Sequence, residues 1–396
     1  MVKPGKNRVR VLHVCPYMHP SAGGPPIVVE RLCLLAPSEG WDASVVTTSL
    51  YCNDDGNELQ NSLRQRIDAK VLPISAPRML KRAYGAADVV DKAVRVADIV
   101  HLHTLWHPLN GIARRACVRH GRKYVMMPHG MLDPYSLAQK QWRKKIYLAA
   151  TERKTLQEAC RLIFTTFCEQ QAARESLPWL EPGEIIPLGA DGPPDMRRQS
   201  EKEEFINLFP EVANRRCLLF LGRIHPKKGL ERLLAIFPEI IRRHPRVLLI
   251  IAGDGEQSHV RSVRKLVDSA NVGAHVLFTG MLEGKSKWSA FACAEIFVLP
   301  SRQENFAISM VEAMHSALPV VITNKVNSWP FVEEASAGFV VDEDQIGLTL
   351  AARLDELLSD PGKARYMGMR GREFAKEHLT WKRMTRDMIS LYEQLV

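Results

Sequence analysis

The protein has 396 residues, and at roughly 150 residues per domain this length corresponds to two or three domains. Apolar residues make up 46% and charged residues 25% of the chain, a composition that excludes disorder as the dominant state. The longest apolar runs, such as residues 247–252, are far shorter than the ~18 residues that cross a bilayer, so no membrane span is expected. The formal net charge of +10 favours anionic partners, without choosing among phosphates, acidic lipids and nucleic acid.

Cysteine usage and the N-terminal residues indicate the compartment. Eight cysteines without a Cys-x-x-Cys pair form neither a disulfide framework nor a zinc pattern, so a reducing, cytosolic setting is expected. The basic residues Lys3, Lys6, Arg8 and Arg10 resemble the start of an export signal, but only a short apolar segment follows them before Pro16. We therefore expect a cytoplasmic protein, and attachment to the inner face of the membrane is a further expectation.

Short runs rich in Val, Ile and Leu alternate with charged amphipathic stretches, a rhythm that is typical of parallel α/β units. In the first half of the chain, the predicted strands are residues 9–15, 43–48, 70–74, 98–103, 124–128, 162–166 and 184–188. In the second half, they are residues 217–222, 247–253, 275–280, 296–300, 320–323 and 338–341. Two doubly wound domains, each with its own parallel sheet, are therefore predicted.

A stretch dense in Gly, Pro and charge, from Gly189 to Arg198, separates the two sets of strands and predicts the domain boundary. The expected parts are an N-terminal domain (1–190), a linker (191–213), a C-terminal domain (214–378) and a C-terminal helix (379–396). This last helix is amphipathic and is expected to pack back on the N-terminal domain. Because such folds bind ligands at the carboxyl ends of their strands, a central cleft between the domains is the expected site.

The loop after strand 217–222 carries residue types that can hold a diphosphate. Gly222 permits a close turn, Arg223 offers a planar fork of donors, and Lys228 places a charge near a helix N-terminus. A solvated basic turn is the alternative interpretation. The next strand ends at Gly253, where the backbone can approach a ligand closely, although a plain strand-to-helix turn has the same appearance.

The segment from Ile296 to Thr323 carries two carboxylates. Glu304 lies in the loop after a buried strand and Glu312 lies on the next helix, with seven residues between them. One carboxylate can face a sugar while the other accepts hydrogen bonds from ribose hydroxyls; a surface loop followed by an exposed helical glutamate is the alternative. The amides placed at the helix N-terminus to bind phosphate oxygens are those of Asn305, Phe306, Ala307 and Ile308.

The order and spacing of these pieces resemble those of the retaining nucleotide-sugar glycosyltransferases of family 4, also called group 1. The residues that carry the resemblance are Gly222, Arg223, Lys228, Gly229, Gly253, Asp254, Gly255, Pro300, Ser301, Glu304, Glu312, Ala313 and Pro319 to Val321. The resemblance covers essentially the whole chain and implies the GT-B fold, with the donor in the C-terminal domain and neither a metal ion nor a cofactor. It also implies that Arg223 and Lys228 bind the donor diphosphate. Glu304 would then lie near the donor sugar and Glu312 on the ribose.

Three positions depart from the pattern of that family. The family often has Gly where this chain has Asn305 and Ala307, and usually has Gly where Ala317 stands. Since Ala307 adds only a methyl group, phosphate contact through the backbone is still expected. The path of the loop and the identity of the donor sugar do not follow from the resemblance.

Two loops in the first half carry candidate site residues. Gly23 and Gly24 follow the first strand, and paired glycines let a loop pass close to a phosphate or sugar, although a merely tight turn looks the same. His129 follows strand 124–128, so its ring can reach a sugar hydroxyl, and the resembled family has its active-site histidine here. A lone histidine is otherwise more often structural.

Three further histidines, His101, His103 and His107, were considered as metal ligands. His101 and His103 share one face of a strand, so two ligands are geometrically available. No companion Cys or acidic ligand stands out and the resembled family is metal-independent, so no metal site is predicted and His103 is expected to line the cleft. Residues 342–344 have an Asp-x-Asp form but follow the last strand, where a solvated turn is expected.

Residues 139–154 combine apolar side chains at helical spacing with many cations. Trp142 and Ile146 can lie on one stripe of a helix flanked by lysines and arginines. Such a helix can lie on an anionic membrane surface, where a lipid-linked acceptor would be found, or it can be an ordinary helix with its Trp in the core. No nucleic-acid-binding module is recognised, so nucleic acid is not expected as a partner.

The residues and the resemblance together predict a metal-independent, retaining hexosyltransferase. It would move a sugar from a nucleotide diphosphate sugar to a hydroxyl of a glycan or lipid-linked glycan, in the synthesis of cell-surface polysaccharide. No carboxylate for a double displacement is evident, so departure and attack on the same face of the sugar are expected. Two alternatives are a nucleotide-sugar epimerase of the same architecture and a non-catalytic sugar-nucleotide-binding protein.

Overall fold

The computed structural model describes residues 8–52, 54–74, 83–194 and 198–396. Lys3 and Lys6, considered above for an export signal, and residues 195–197 of the boundary stretch lie outside the described residues. The chain divides into two compact units, one formed by Met1–Leu188 with Trp381–Val396 and the other by Gly189–Thr380. Each unit contains one parallel β-sheet with helices packed on it.

The sheet of the first unit is parallel in all its named pairings. Its strands are β1 (Val9–Tyr17), β2 (Trp41–Thr48), β3 (Asp68–Leu72), β4 (Ile99–His103), β5 (Tyr124–Met127), β6 (Arg161–Phe164) and β7 (Glu184–Ile185). They lie in the order β3-β2-β1-β4-β5-β6-β7. The strand order changes direction between β1 and β4, where His13 pairs with His101, and doubly wound sheets bind ligands at such a switch point.

The strands of the first unit are joined by helices. These are α1 (Gly24–Leu35), α2 (Asn57–Arg64), α3 (Ala86–Val96), α4 (Pro108–His120), α5 (Pro134–Ala138), α6 (Gln141–Tyr147), α7 (Arg153–Gln157) and α8 (Phe167–Ser176). A π-helical turn, Leu148–Glu152, connects α6 to α7. Every residue of β4 and β5 is buried, as expected for strands covered by helices on both faces of a sheet.

The second unit repeats this plan with a smaller sheet. Its strands are β8 (Arg216–Leu221), β9 (Val247–Ala252), β10 (Val276–Gly280), β11 (Ala294–Leu299), β12 (Val320–Thr323) and β13 (Gly338–Val341). They lie in the order β10-β9-β8-β11-β12-β13, so the switch point falls between β8 and β11. The loops after these two strands are therefore where a ligand is expected to bind.

Eight helices of the second unit lie among the described residues. They are α9 (Arg198–Leu208), α10 (Leu230–Arg243), α11 (Gln257–Ser269), α12 (Gly284–Cys293), α13 (Ile308–His315), α14 (Trp329–Glu334), α15 (Ile346–Ser359) and α16 (Pro361–His378). α10 buries Leu230, Leu233, Leu234 and Phe237, the spacing of one face of a helix. This apolar face is buried, whereas Glu239, Arg242 and Arg243 of the same helix are exposed.

The segment that we expected to be a linker, residues 191–213, contains helix α9, which belongs to the second unit. Phe205 of this helix is fully buried, and its ring centroid lies 4.9 Å from that of Phe209. α9 packs on α12. Burial of these apolar side chains stabilises a helix that the preceding Gly/Pro-rich stretch did not suggest.

The C-terminal helix α17 (Trp381–Glu393) belongs to the first unit. Met384 and Met388, which lie on one face of this helix, are buried. The ring centroid of Tyr392 lies 5.6 Å from that of Trp41, and its hydroxyl lies 2.6 Å from Nδ1 of His101. This helix therefore covers part of the first sheet.

Candidate functional site

The loops after β8, β9 and β11 approach one another so closely that glycine is required. Gly229 has φ 66°, and a Cβ at this residue would overlap the carbonyl oxygen of Pro300. Gly253 has φ 150°, and a Cβ there would overlap the carbonyl oxygen of Gly222. Only glycine tolerates both the positive φ and the close approach. These glycines thus pack the three loops together at the carboxyl edge of the second sheet.

Lys228 and Glu304 form an ion pair across two of these loops, and their side chains are 17% and 22% exposed. The backbone of Glu304 is held on both sides, because its N–H donates to the carbonyl of Lys325 at 2.9 Å and its carbonyl accepts the N–H of Asn327 at 3.0 Å. The Lys228 ammonium lies 3.7 Å from the position of a Cβ on Gly222. A cation and a carboxylate are therefore fixed at the switch point of the sheet.

A second set of contacts joins the same two loops. The N–H of Arg302 donates to the carbonyl of Lys227 at 2.7 Å. The Lys227 ammonium donates to Oε1 of Gln303 at 2.8 Å, and the Arg302 guanidinium pairs with Glu231 at 2.7 Å. These bonds fix the loop that carries Lys228 against the loop that carries Glu304.

Arg223 lies on the same loop as Lys228 and is exposed. Among the described residues, its guanidinium forms no ion pair and no hydrogen bond. It is thus available to an anionic ligand. His225 in the same loop accepts the N–H of Lys227 at 3.1 Å through Nδ1. Burial, reinforced by the charge of Arg223, lowers the pKa of His225, so the positive charge of this loop comes from arginine and lysine.

The N-terminus of α13 follows Glu304 after a short loop. Ala307 caps this helix with φ 59° and ψ 67°, the left-handed region that favours glycine. Phe306 is buried, and Ser328 Oγ donates to its carbonyl, which fixes the path of the loop. The first amides of this helix, those of Ile308 and Ser309, precede the first amide that bonds to Ala307, that of Met310, and lie at the positive end of the helix dipole.

Glu312 is buried on α13 and pairs with Lys287 of α12, with 2.6 Å between Oε1 and Nζ. Lys287 also lies over the ring of Trp288, at 4.5 Å from its centroid. The sequence did not indicate Lys287, because only the packing of α12 against this part of the unit brings it to Glu312. A carboxylate beside an ammonium stays ionised and can accept several hydrogen bonds.

The acidic residues after β13 form a short capped turn. The carboxylate of Asp342 accepts the N–H of Asp344 at 3.0 Å, as in a helix cap. Glu343 pairs with Arg232 at 2.5 Å and lies 3.7 Å from Lys325. Asp342 and Asp344 are exposed, as expected for a solvated turn, whereas Glu343 is partly buried and pairs with cations of the same unit.

In the first unit, the turn after β1 opens helix α1. Gly23 has φ 92°, and a Cβ at Gly23 or at Gly24 would have no atom within 4 Å. His19 and Ser21 stabilise the turn through a contact of 2.7 Å between Nδ1 and Oγ. The two glycines thus border open space.

His129 follows β5 after Pro128, with φ 54°, and it is half-buried. The N–H of Gly130 donates to Oε1 of Glu169 at 2.6 Å. The other oxygen of this buried carboxylate accepts the N–H and the hydroxyl of Thr165, at 2.7 and 2.6 Å. Glu169, which the sequence did not single out, therefore ties the loop of His129 to the loop after β6.

Other histidines surround His129. Nδ1 of His103 lies 3.0 Å from Nε2 of His129, and Nε2 of His103 lies 3.0 Å from Nδ1 of His13. Burial lowers the pKa of His13 and of His129 to about 3, and it lowers the pKa of His101 and of His103 well below the usual value. These four rings are therefore neutral near pH 7.

Three of these histidines form the one group among the described residues whose geometry could hold a metal ion. The ligand atoms of His13, His101 and His103 lie within 4.8 Å of one another. Both nitrogens of His103 already face other imidazoles, and its ring stacks on that of His101 with 3.9 Å between centroids. His107 is not part of this group. Its Nδ1 accepts the N–H of Leu109 at 3.2 Å and so caps α4.

Two residues with strained backbone lie near these histidines, just after the carboxyl end of β4. Thr104 and Trp106 have φ 61° and 66°, values that few non-glycine residues adopt. The N–H of Trp106 donates to Oε1 of buried Glu152 at 2.9 Å. Burial raises the pKa of Glu152 to about 7. Strain of this kind is typical of ligand-binding loops.

The basic segment 139–154 presents its apolar side chains to solvent. Trp142 and Ile146 of α6 are 64% and 61% exposed, so the alternative that placed this Trp in the core is wrong. The guanidinium of Arg143 lies 5.1 Å from the centroid of the Trp142 ring. Within the described part of the chain, no helix combines the length and the apolar character that crossing a membrane requires.

Two family models match the chain. The model of Glycosyl transferases group 1 matches residues 201–374, and that of the Glycosyl transferase 4-like domain matches residues 23–189. Together they span most of both units. The chain belongs to the group 1 glycosyltransferases.

Curated relatives align with parts of the chain. Spore coat protein SA of Bacillus subtilis (strain 168) is 28% identical over 46% of this chain and 50% of its own length. The GDP-mannose-dependent alpha-(1-6)-phosphatidylinositol monomannoside mannosyltransferase of Mycolicibacterium smegmatis is 28% identical over 43% of this chain and 46% of its own length. An uncharacterized glycosyltransferase of Methanocaldococcus jannaschii is 25% identical over 82% of this chain and 83% of its own length. The match thus spans about half the length of the first two relatives.

Solved structures of the same fold cover nearly the whole chain. Sucrose-phosphate synthase from Thermosynechococcus elongatus has a TM-score of 0.77 at 21% identity, covering 98% of this chain and 99% of its own. Anabaena HepE, in complex with UDP and glucose, has a TM-score of 0.78 at 19% identity, covering 98% of this chain and 100% of its own. The predicted fold class, GT-B with two Rossmann-like domains, is confirmed.

In this group 1 glycosyltransferase, the candidate residues lie on both units. The second unit brings together Gly222, Lys228, Gly253 and Glu304, and the exposed Arg223 lies on the same loop as Lys228. Sequence reasoning missed three residues: His13 contacts His103, Lys287 pairs with Glu312, and Glu169 bonds the neighbour of His129 in the chain, Gly130. Only the pairing of β1 with β4 offered a signal for one of them, because it sets His13 opposite His101.

Proposed function

We propose that the protein is a retaining hexosyltransferase that moves a sugar from a nucleotide diphosphate sugar to a hydroxyl of a glycan or lipid-linked glycan. The observation that carries this proposal is the Lys228–Glu304 ion pair between the loops after β8 and β11, with Arg223 exposed on the first of these loops. The cations suit a diphosphate, and the carboxylate suits sugar hydroxyls. The name of the mycobacterial relative, which specifies GDP-mannose, and the UDP in the HepE structure support a nucleotide-sugar donor.

In the proposed reaction, electrostatic stabilisation of the leaving group lowers the barrier. Arg223, Lys228 and the first amides of α13 neutralise the charge that builds on the departing diphosphate. Backbone at Gly222, at Gly253 and from Asn305 to Ile308 lies close to the phosphates. With these donors in place, the proposed mechanism uses no metal ion at the diphosphate.

Retention of configuration follows if departure and attack occur on the same face of the sugar. The bond between the anomeric carbon and the diphosphate oxygen breaks, and the acceptor oxygen bonds to that carbon. The acceptor proton passes to an oxygen of the leaving phosphate. A double displacement would instead require a carboxylate nucleophile on the opposite face.

Three side chains orient the substrates in this proposal. Glu304 accepts hydrogen bonds from hydroxyls of the transferred sugar, and Glu312 accepts them from the ribose. His129 of the first unit bonds a sugar hydroxyl, and the open space at Gly24 lets a substrate approach the start of α1. Each of these roles requires a polar atom that the fold holds in one position.

We also propose that α6 attaches the protein to an anionic membrane on the cytoplasmic side, where a lipid-linked acceptor for cell-surface polysaccharide is found. Trp142 and Ile146 are exposed among the cations Arg143, Lys145 and Lys154, which are exposed as well. Apolar side chains that enter the acyl boundary and cations that meet lipid phosphates stabilise such a helix on the surface.

Two alternatives differ from the transferase in what they consume. A nucleotide-sugar epimerase changes the sugar nucleotide with no acceptor present. A binding protein retains the donor unchanged with any acceptor. Product analysis of the same reactions therefore separates all three functions.

The test is release of nucleotide from a panel of UDP-, GDP- and ADP-sugars by the purified protein, with a chelator, and with and without membrane lipid extract. Glu304→Gln is compared with Glu211→Gln, a matched change at an exposed residue that precedes β8 and so lies away from its carboxyl end. Release that needs one donor and the extract, survives the chelator and is lost only in Glu304→Gln supports the proposal. No release from any donor, together with a thermal shift by one of them, contradicts it.

A further inference from the structure

A row of three imidazoles crosses the carboxyl edge of the first sheet and ends at His129. His13 lies on β1, His103 ends β4 and His129 follows β5, so three adjacent strands each supply one ring. The two contacts in the row join Nδ1 of His13 to Nε2 of His103 and Nδ1 of His103 to Nε2 of His129, each at 3.0 Å. Nε2 of His129 is therefore hydrogen-bonded to His103, and Nδ1 is the other polar atom of the His129 ring.

Neither His13 nor His103 can contact a substrate, because both side chains are fully buried. The backbone of His129 is already fixed by its positive φ and by the bond from Gly130 to Glu169. What remains open is the rotation of the ring, which decides whether Nδ1 or Nε2 points outward. The hydrogen bond with His103 makes that choice.

We propose that His103, supported by His13, is a positioning residue that holds Nε2 of His129 inward, so that Nδ1 is the atom presented to a hydroxyl of the sugar substrate. The inference rests on the proposed role of His129 in sugar binding. It adds the identity of the binding atom and the residues that select it.

Protons along the row are linked, because each neutral imidazole carries a single N–H. If every ring donates toward His129, its Nδ1 carries the proton and donates to the substrate. If every ring donates away from it, Nδ1 accepts instead. The two arrangements differ by a shift of protons without any change in net charge, so Nδ1 can bond either the oxygen or the proton of a hydroxyl.

Two further side chains enclose the row. The ring of His101 stacks on that of His103 with 3.9 Å between centroids, and its Nδ1 is 2.6 Å from the hydroxyl of Tyr392. Stacking of a neutral ring on this side excludes water that would otherwise compete for the nitrogens of His103.

Two substitutions of His103 separate positioning from packing. The amide of Asn reaches the place of Nδ1 and can still bond His129, whereas the amide of Gln reaches the place of Nε2 and bonds only His13. We expect His103→Gln to lower kcat/KM about tenfold or more and His103→Asn to keep activity within about threefold of wild type. Equal losses in the two variants would overturn the proposal.

A double-mutant cycle tests whether His103 acts through His129. In a His129→Ala background, His103→Gln should lower kcat/KM less than about twofold, because the ring to be positioned is gone. Losses that multiply in the double variant would show a separate structural role and overturn the proposal. His120→Gln, a change of a histidine paired with Asp91 outside the row, serves as the control for effects on the first unit.

A measurement without substrate keeps this inference separate from the proposed function. In protein labelled with ¹⁵N-histidine, spectra that correlate ring protons with nitrogens report the state of each imidazole. We expect Nε2 of His129 to be hydrogen-bonded in wild type and in His103→Asn and to lose this bond in His103→Gln. Unchanged His129 signals in His103→Gln, or one equivalent of tightly bound zinc that His13→Gln abolishes, would overturn the proposal whether or not the protein transfers sugar.

Discussion

Lys228 and Glu304 contact each other across 76 positions of sequence, from loops that follow β8 and β11. The strands are adjacent in the sheet, and Gly229 allows the first loop to pass directly over Pro300 at the end of the second strand. Each charge holds the other in place before a ligand arrives. In the reaction that we propose, the donor diphosphate competes with Glu304 for the ammonium, and this exchange frees the carboxylate for sugar hydroxyls.

Replacing Lys228 with Met should lower kcat/KM for the donor about 10²- to 10³-fold, because a cation that meets charge developing in the transition state is lost. Lys227→Met is the matched control, since Lys227 lies in the same loop but bonds Gln303 rather than a carboxylate. Steady-state kinetics with the donor from the panel measures both variants. Similar losses in the two would show that the loop needs only positive charge.

Replacing Glu312 with Gln should weaken nucleotide binding about tenfold, because an ionised acceptor for ribose hydroxyls becomes neutral and the ammonium of Lys287 loses its partner. Titration calorimetry with the nucleoside diphosphate of the identified donor gives the Kd. Glu211→Gln should bind like wild type. An unchanged Kd in Glu312→Gln would remove this residue from the proposed site.

Replacing Ala307 or Ala317 with Gly should raise the free energy of unfolding by about 0.5–1 kcal/mol each. Both residues have positive φ, 59° and 57°, and the relief of left-handed strain exceeds the larger conformational freedom that glycine adds to the unfolded chain. Ala352→Gly on the exposed face of α15 should instead lose about 1 kcal/mol. Urea unfolding compares the three, and a loss at either positive-φ position would contradict the expectation.

The first unit should become more stable as pH rises from about 3 to 6.5. His13 and His129 bind protons near pH 6.5 when unfolded but only near pH 3 when folded, so the unfolded state binds more protons in this range. Each contributes a slope of about 1.4 kcal/mol per pH unit. Glu152, with its pKa raised from 4.5 to about 7, acts in the opposite sense, and its contribution is lost as pH rises through 7.

Denaturant unfolding at several pH values measures this slope. His13→Gln should reduce it by about 1.4 kcal/mol per pH unit, because the histidine that binds the extra proton in the unfolded state is removed. Equal slopes in His13→Gln and wild type would show that His13 is protonated in the folded protein.

Replacing Trp142 with Ser should weaken binding to vesicles that contain anionic lipid about tenfold or more, because the apolar surface that the indole transfers from water to the membrane is lost. Tyr366→Ser is the matched control, since this second-unit aromatic is also 64% exposed but lies on α16. Co-sedimentation with phosphatidylglycerol and phosphatidylcholine vesicles at two salt concentrations measures the effect. Equal binding by both variants would show that α6 does not contact the membrane.

Each of the thirteen predicted strands corresponds to an observed strand. Most of them are buried, and a strand buried on both faces is a run of aliphatic residues ended by Gly, Pro or polar residues. No such local pattern marks α9, and it was not predicted from the sequence. Five of its eleven residues are charged, and the burial of Phe205 that stabilises it depends on a helix far along the chain.

The sequence by itself determined the two parallel sheets, their loops and the chemical types of the candidate residues, because periodicity and glycine placement are local properties of the chain. Only the tertiary structure decided which of these residues meet. Lys287 reaches Glu312, Glu169 reaches Gly130, and His103 joins His13 to His129 because strand order and helix packing bring distant segments within a few ångströms. Such contacts leave no local pattern, because the sequence of each element reflects which of its residues are buried and not which distant residue they contact.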